Sequence, residues 1–507
     1  MKATLSSLVQ HYNVPVPRYT SYPPATAWTP MEQEHFCTAL SSRNPSSPLS
    51  LYLHIPFCHS LCLYCGCSTI QNMCAEVEEQ YVQTLLKEID LVHAAIGQAH
   101  VNQIHFGGGT PTKLHPSQLT RLVCALKERF SIAPGAEIAI EVDPRTVVGK
   151  NTPTLSTLKA LGFTRISLGI QDFNAQVQNA IGRRQSEQVS TQVYRQCQEL
   201  GVDSINFDLV YGLPCQTVLS FQETINRVIA LHPSRIALFS FAYLPELKPL
   251  QKAIPPSLLS SPEEKFEIYC NAQKSLLQAG YVGIGLDHFA LPEDALSQSV
   301  VQGTLRRTFQ GYTAVEGHEV IGLGMTAISD LGTAFFQHAK TLPEYCDAID
   351  SGKFPTARGL VLSQDDLRRR FVIEQLMCRG AIQKKAFEEH TGEPFDAYFH
   401  TALDQLQPLI NDGLVSCSDT TIEATHLGRL FLRNIAACFD AYLYPNKLKN
   451  REFANDESPR FDSEKTSSTL DIGAVFSESK MGLSAKAKTD SSACLGIEPS
   501  TLSSRGI

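Results

Sequence analysis

Between about residues 50 and 290, short apolar runs alternate with longer stretches whose apolar residues recur every three to four positions. The runs Leu51–Ile55, Gln103–Phe106, Ile138–Val142, Arg165–Ile170, Ile205–Val210 and Ile236–Phe241 read as strands. Helical periodicity falls between them, near 76–96, 116–130, 187–200, 217–231 and 261–279. Strands alternating with helices predict a parallel sheet. Six such units at this spacing predict an α/β fold, a closed or partial (β/α)6 barrel. Polar residues strengthen that expectation by following one strand after another. A cysteine-rich loop follows the first, Gly107-Gly108-Gly109-Thr110-Pro111 the second, Gln171-Asp172 the fourth and Ala242-Tyr243 the sixth. Glu141 and Asp143 end the third strand, and Asp208 lies in the fifth. Barrel chemistry gathers at the C-terminal ends of the strands. A doubly wound open sheet explains the alternation but less naturally the spread of polar residues over six strands.

The pattern divides the chain into an N-terminal arm (1–48), the barrel (49–335), a smaller, mostly helical C-terminal domain (336–445) and a tail (446–507). The arm carries Pro17-Arg18-Tyr19-Thr20-Ser21-Tyr22, with little helical character, and is expected to cap the barrel mouth. Phe371–Cys378, Lys384–His390 and Leu427–Asp440 read as helices. The tail is rich in Ser, Lys, Asp, Glu and Thr and is expected to be disordered.

Length and charge narrow the picture. A chain of 507 residues can bury a large core, and 43% hydrophobic content is that of an ordinary globular protein. The start lacks a basic segment leading into an apolar one, and no apolar run approaches a membrane span. Fifteen scattered cysteines without a secretion signal point to a reducing, cytoplasmic compartment. A net charge of −8 argues against nucleic acid as a partner. No oligomerisation pattern is present, so a monomer is expected.

The cysteine-rich loop reads His54-Ile-Pro-Phe-Cys58-His-Ser-Leu-Cys62-Leu-Tyr64-Cys65-Gly66-Cys67. Three thiolates at C-x3-C-x2-C spacing can each hold one corner of a cubane [4Fe–4S] cluster, which normally takes four cysteines. Three leave one iron open for a small molecule. Structural zinc would need a fourth ligand, usually from a second paired unit, and none follows at a plausible distance. Cys67 is a possible fourth ligand, read here as a neighbour of the set. Single cysteines such as Cys124, Cys197, Cys270 and Cys378 read as packing residues.

Gly107–Gly109 lets a ligand approach the backbone, or is simply the turn before a helix. It lacks the lysine of a phosphate-binding loop. Glu141 is a ligand-binding acid or an exposed edge residue. Asp208 lies within an apolar run, and a buried carboxylate needs a partner. Arg183 offers a fork for a carboxylate, or is a surface arginine.

Together these residues resemble the radical S-adenosylmethionine (radical SAM) superfamily. The longer motifs resemble, within it, the oxygen-independent coproporphyrinogen III oxidase (dehydrogenase) family. They include Pro17-Arg18-Tyr-Thr-Ser-Tyr22, Gly107-Gly-Gly-Thr-Pro-Thr112, Glu141-Val-Asp-Pro-Arg145, Gln171-Asp-Phe173, Asp208-Leu-Val-Tyr-Gly-Leu-Pro214, Asp287-His-Phe-Ala290, Phe309-Gln-Gly-Tyr312 and Arg433-Asn-Ile435. The resemblance spans about residues 10–445. It implies a [4Fe–4S] cluster on Cys58, Cys62 and Cys65 and two S-adenosylmethionine molecules. Tyr52, Gly108, Glu141 and Ile328 would contact the first; Tyr64, Gly109, Thr110, Gln171, Arg183, Asp208 and Ala242 the second. Position 64 is usually Phe in the family. The implied reaction, in haem biosynthesis, decarboxylates two propionates of coproporphyrinogen III to vinyl groups without O2, through a 5′-deoxyadenosyl radical. It requires an electron donor for the cluster and a terminal electron acceptor. No catalytic residue beyond those that position the cofactors is implied. Four substrate carboxylates call for basic side chains, and Arg18, Arg306 and Arg307 are the candidates. The rival reading within the superfamily is a relative that binds or delivers haem without dehydrogenase activity.

Overall fold

The structure, a computed structural model, describes residues 5–443 except 72, 150–152, 316 and 318. The tail expected from 446 lies outside the described residues.

Six parallel strands form the heart of one thirteen-stranded sheet: β1 (Leu49–Ile55), β2 (His100–Gly108), β3 (Ser131–Val142), β4 (Arg165–Gln171), β5 (Ser204–Tyr211) and β6 (Arg235–Ser240). Each is followed by a helix: Ala75–Ile96, Pro116–Arg129, Pro153–Leu161, Glu187–Glu199, Val218–Leu231 and Pro262–Gln278. The helix Pro153–Leu161 was not anticipated from the periodicity. The helices begin where the sequence supplies caps. Ser186 Oγ accepts the Val189 N–H at 3.3 Å, and Ser261 Oγ accepts the Glu264 N–H at 3.1 Å with Pro262 at the first helical position.

The strand register sorts side chains into two faces. Ile104 stands opposite Ile138, Ile140 opposite Ile166, Ile166 opposite Ile205 and Phe207 opposite Ile236. These residues are buried with helix residues such as Tyr81, Leu85, Leu122 and Ile225 in the main core. The intervening positions put Glu141 opposite Ser167, Ser167 opposite Asn206 and Asn206 opposite Arg235. The inner face of the sheet is therefore polar.

Beyond β6 the sheet continues through His288–Ala290 and Val282–Ile284, both antiparallel. On the other side Glu319–Leu323 pairs parallel with β1, and Ile328–Asp330, Ala334–His338 and Thr356–Val361 follow. After Val361 a second hydrophobic cluster forms around Val372, Leu376, Phe387, Phe399 and Leu406. It belongs to helices Gln364–Arg379, Lys384–Thr391 and His400–Asn411 and to a small antiparallel sheet of Ala381–Gln383, Thr421–Ala424 and Val415–Cys417. That sheet was not expected.

The arm is more helical than its sequence suggested, with helices Leu5–Tyr12 and Gln33–Ser42 at its two ends. Leu8, Val9, Tyr19 and Tyr22 join the second cluster, whereas Phe36 and Leu40 join the barrel core. Of the cysteines read as packing residues, Cys197 and Cys378 are buried and Cys270 partly so, but Cys124 is exposed. Among the described residues no helix is long and apolar enough to cross a membrane.

Candidate active site

Eight-stranded barrels usually fill their interior with branched apolar side chains. Here the inner face encloses a cavity of about 810 Å³. Towards the N-terminal ends of the strands it is closed by charge. Glu137 accepts from Gln103 Nε2 at 2.8 Å and Arg165 Nη2 at 3.1 Å, with Arg235 Nη1 at 3.4 Å. Burial pushes the Glu137 carboxyl up, but the two guanidiniums outweigh it and hold the group at about 2.

The cysteine loop forms one rim. It is pinned at its base, where Phe57–Cys58 pairs with Ile70–Gln71, and again where Leu63 N–H donates to Ile181 O at 2.9 Å. Gln251 and Lys248 donate to the carbonyls of Tyr64 and Gly66 at 3.3 and 2.5 Å. Cys58, Cys62, Cys65 and Cys67 all line the cavity. Cys58 Sγ lies 3.4 Å from Thr110 Oγ1, and Arg183 Nη1 donates to Cys62 Sγ at 3.6 Å. A hydrogen bond from Cys67 lowers the Cys65 thiol to about 6 against the cost of burial, with Lys248 and Arg183 assisting. Burial pushes Cys58 up to about 11. Among the described residues no three His, Cys, Asp or Glu side chains converge on one point suited to a single ion. A cubane cluster makes no such demand, because each thiolate binds its own iron. A donor set made wholly of thiols on one loop, open to a cavity, fits that group.

The glycine loop forms the next wall. A Cβ at Gly107 would lie 2.8 Å from Glu141 Oε1, one at Gly108 2.7 Å from the His54 ring and one at Gly109 2.6 Å from Pro56 O. Gly108 also has a φ of +114°, so glycine is required there for both conformation and space. Its N–H donates to Glu141 Oε2 at 3.1 Å, and the Gly109 N–H donates to Ile55 O at 2.8 Å. Arg165 Nη2 donates to His105 Nδ1 at 3.3 Å, which leaves the His105 proton on Nε2, 3.2 Å from Glu141 Oε1. Burial raises the Glu141 carboxyl, but His105 and the Gly108 N–H reverse that and keep it anionic. Tyr52 stacks on His105 with ring centres 5.8 Å apart and donates to His54 Nδ1 at 3.2 Å. The donor role follows because His54 Nε2–H is spent on Ser68 O at 2.9 Å.

Strands β4 and β5 supply the far wall. Gln171 ends β4 with a φ of +68° and faces the cavity, whereas its neighbour Asp172 turns into the protein and accepts from Thr224 and Gln216. Asp172 is thus structural. Arg183 donates to Gly169 O at 2.7 Å and pairs with Asp143 at 3.3 Å. Asp208 accepts from Ser167 Oγ and Asn206 Nδ2, both at 2.8 Å, yet burial and the Glu141 charge raise it to about 6. Tyr64, Thr110, Ala242 and Ile328 complete the lining. All fourteen residues singled out as cluster or cofactor contacts therefore border one cavity.

The arginines divide. Arg18 and Arg307 line the cavity, but Arg306 points instead to Glu374, 3.5 Å away. Sequence reasoning missed His54, Gln103, His105, Arg165, Ser167 and Asn206, which also line it. The available signal was polar residues spaced by two within apolar strands, as in Gln103-Ile-His105 and Asn206-Phe-Asp208.

Comparison with known proteins then decides the family. The Radical SAM superfamily model matches residues 52–228, and the HemN C-terminal domain model matches 362–431. The oxygen-independent coproporphyrinogen III oxidases of Salmonella typhimurium and Escherichia coli are each 42% identical to the chain, over 88% of it and 97% of their own length. The chain belongs to the oxygen-independent coproporphyrinogen III oxidase family. The Synechocystis relative is also 42% identical, over 89% of this chain and 97% of its own. The solved structure of coproporphyrinogen III oxidase from Escherichia coli, described as a radical SAM enzyme, superposes with a TM-score of 0.81 at 41% identity. It covers 84% of this chain and 97% of that one. Family membership makes the chain a radical SAM protein and agrees with the α/β barrel described above.

Proposed function

We propose that this cavity carries out the oxidative decarboxylation of coproporphyrinogen III to protoporphyrinogen IX without O2, a step of haem biosynthesis. One observation carries the reading. The three thiols of the C-x3-C-x2-C loop open into the same cavity as the glycine loop, Glu141 and Asp208, in a chain related nearly end to end to coproporphyrinogen III oxidases. When bound, a [4Fe–4S] cluster and S-adenosylmethionine supply a carbon-centred radical that can remove hydrogen from a propionate β-carbon.

The chain's own residues bind and orient. Cys58, Cys62 and Cys65 supply the thiolates. Tyr52, Gly108, the anionic Glu141 and Ile328 hold one S-adenosylmethionine. Tyr64, Gly109, Thr110, Gln171, Arg183, Asp208 and Ala242 hold a second, so that two are consumed per product. Each propionate loses one hydrogen atom, CO2 and one electron to become a vinyl group. A reductant for the cluster and an acceptor for the released electron are separate partners. The reading further takes the protein as a cytoplasmic monomer without nucleic-acid or membrane partners, divided at about 48 and 445, with the boundary expected at 335 moved to about 361 because strands Ala334–His338 and Thr356–Val361 belong to the main sheet.

Anaerobic turnover of coproporphyrinogen III by the reconstituted protein, with S-adenosylmethionine, a reductant and an electron acceptor, tests it. Protoporphyrinogen and 5′-deoxyadenosine are expected at about one to two, as two radical steps require. Deoxyadenosine without porphyrin product would sink the substrate assignment and favour a haem-handling relative.

A further inference from the structure

A second concentration of charge borders the cavity, six strands along the sheet from the strand that leads into the cysteine loop. It is assembled from the N-terminal arm, the segment at Asp287-His288 and the hairpin Arg306–Thr308/Gly311–Thr313. Asp287 is its centre, accepting from Arg18 Nη2 and from His288 Nδ1, both at 2.7 Å. Arg307 is buried, its side chain only 3% exposed, and lies over the Tyr312 ring at 4.5 Å. Its Nε and Nη2 donate to the carbonyls of Tyr19 and Arg18, each at 3.2 Å.

The cluster is incomplete in two respects. First, Arg307 Nη1 has no hydrogen-bond partner, and Asp287 Oδ1 is 3.9 Å away. Gln310 Nε2, on the same hairpin, is also buried without an acceptor. Buried donors of this kind are costly and rare in native proteins unless something meets them. Second, positive charge exceeds negative. Arg18 and Arg307 have Asp287 as their ion-pair partner among the described residues. Arg433 stands near enough that burial and then Arg18 push its pKa down. Arg18 keeps 42% of its side chain exposed, so it still has donors facing the cavity.

We propose that Arg18, Arg307 and Gln310 form a carboxylate-binding clamp that takes a propionate of the tetrapyrrole. The idea rests on the substrate reading above and deepens it. An incoming carboxylate satisfies Arg307 Nη1 and Gln310 Nε2 and shares Arg18 with Asp287, in the forked geometry that guanidinium favours. Asp287 serves as a positioning residue, holding Arg18 and the arm against the cavity before substrate arrives. Alternation along the hairpin strand explains why Arg306 is excluded, since adjacent side chains face opposite ways.

The test uses the reconstituted holoenzyme and separate KM values for coproporphyrinogen III and S-adenosylmethionine. Arg18→Gln and Arg307→Lys are each expected to raise the KM for coproporphyrinogen III about tenfold to hundredfold, the range for a lost hydrogen bond to a charged group. The KM for S-adenosylmethionine stays within about twofold, well below that range. If Arg307→Lys fails to fold, Arg18→Gln decides, because that side chain is far less buried than Arg307. An unchanged coproporphyrinogen III KM, or an equal rise in both KM values, overturns the clamp. Failure of the wild-type protein to turn over coproporphyrinogen III is a different result, and it overturns the substrate reading instead.

Discussion

Asp208 offers a prediction whose size can be worked from the structure. Its carboxyl is raised to about 6, first by burial and then by the Glu141 charge, against hydrogen bonds from Ser167 and Asn206. If the ionised form binds S-adenosylmethionine, kcat/KM for that molecule is full above this value and falls below it. At pH 7 about nine-tenths of Asp208 is ionised, and at pH 5 about one-tenth. Ser167→Ala removes the 2.8 Å hydrogen bond to Oδ2 and leaves the Asn206 bond to Oδ1. A hydrogen bond to a charged group contributes about 1.5–3 kcal/mol, and each pKa unit corresponds to about 1.4 kcal/mol. The bond favours the charged form, so its loss raises the pKa, and the acid limb should move from about 6 to about 7–8. Initial rates of 5′-deoxyadenosine release at low S-adenosylmethionine, measured anaerobically from pH 5 to 9, report the limb directly. Asp208→Asn should abolish it along with most of the activity. A limb that stays in place in Ser167→Ala, or survives in Asp208→Asn, would refute the assignment.

Cys62→Ser should lose the charge-transfer absorbance of the reconstituted cluster and with it turnover; full turnover would show that Cys62 is not a ligand. Glu88 is fully buried, and its Oε2 accepts the Gly324 N–H at 2.6 Å and the Tyr345 hydroxyl at 2.7 Å. Glu88→Ala strands both donors, at about 1–3 kcal/mol each, so urea unfolding should show a loss of about 2–6 kcal/mol; a loss below about 1 would contradict this account. Removing the chain after about residue 446 should leave kcat and KM unchanged, and a folded but inactive truncation would assign the tail a function.

What could be read from the sequence was local and periodic. Five of the six barrel strands were found to within three residues at each end, because alternating runs and intervening helical repeats record burial one position at a time. The third, read from Ile138, begins seven residues earlier at Ser131. The cysteine spacing and the three glycines were equally legible, since a short loop must carry its own chemistry in consecutive positions. The short strands Ala381–Gln383, Val415–Cys417 and Thr421–Ala424 were not, because three or four residues hold too little pattern to distinguish. Nor were the partners of Asp208. A polar residue in an apolar strand reads the same whether it faces solvent or a cavity, and only the register places Ser167 beside Asn206 and both beside that carboxylate. Arg306 and Arg307 make the same point within one dipeptide. Their sequence context is shared, but the hairpin turns one towards Glu374 and the other into the cavity. Sequence alone determined which chemistry the chain carries. Tertiary structure decided which groups meet, because strand pairing joins residues that are distant along the chain and separates residues that are adjacent in it.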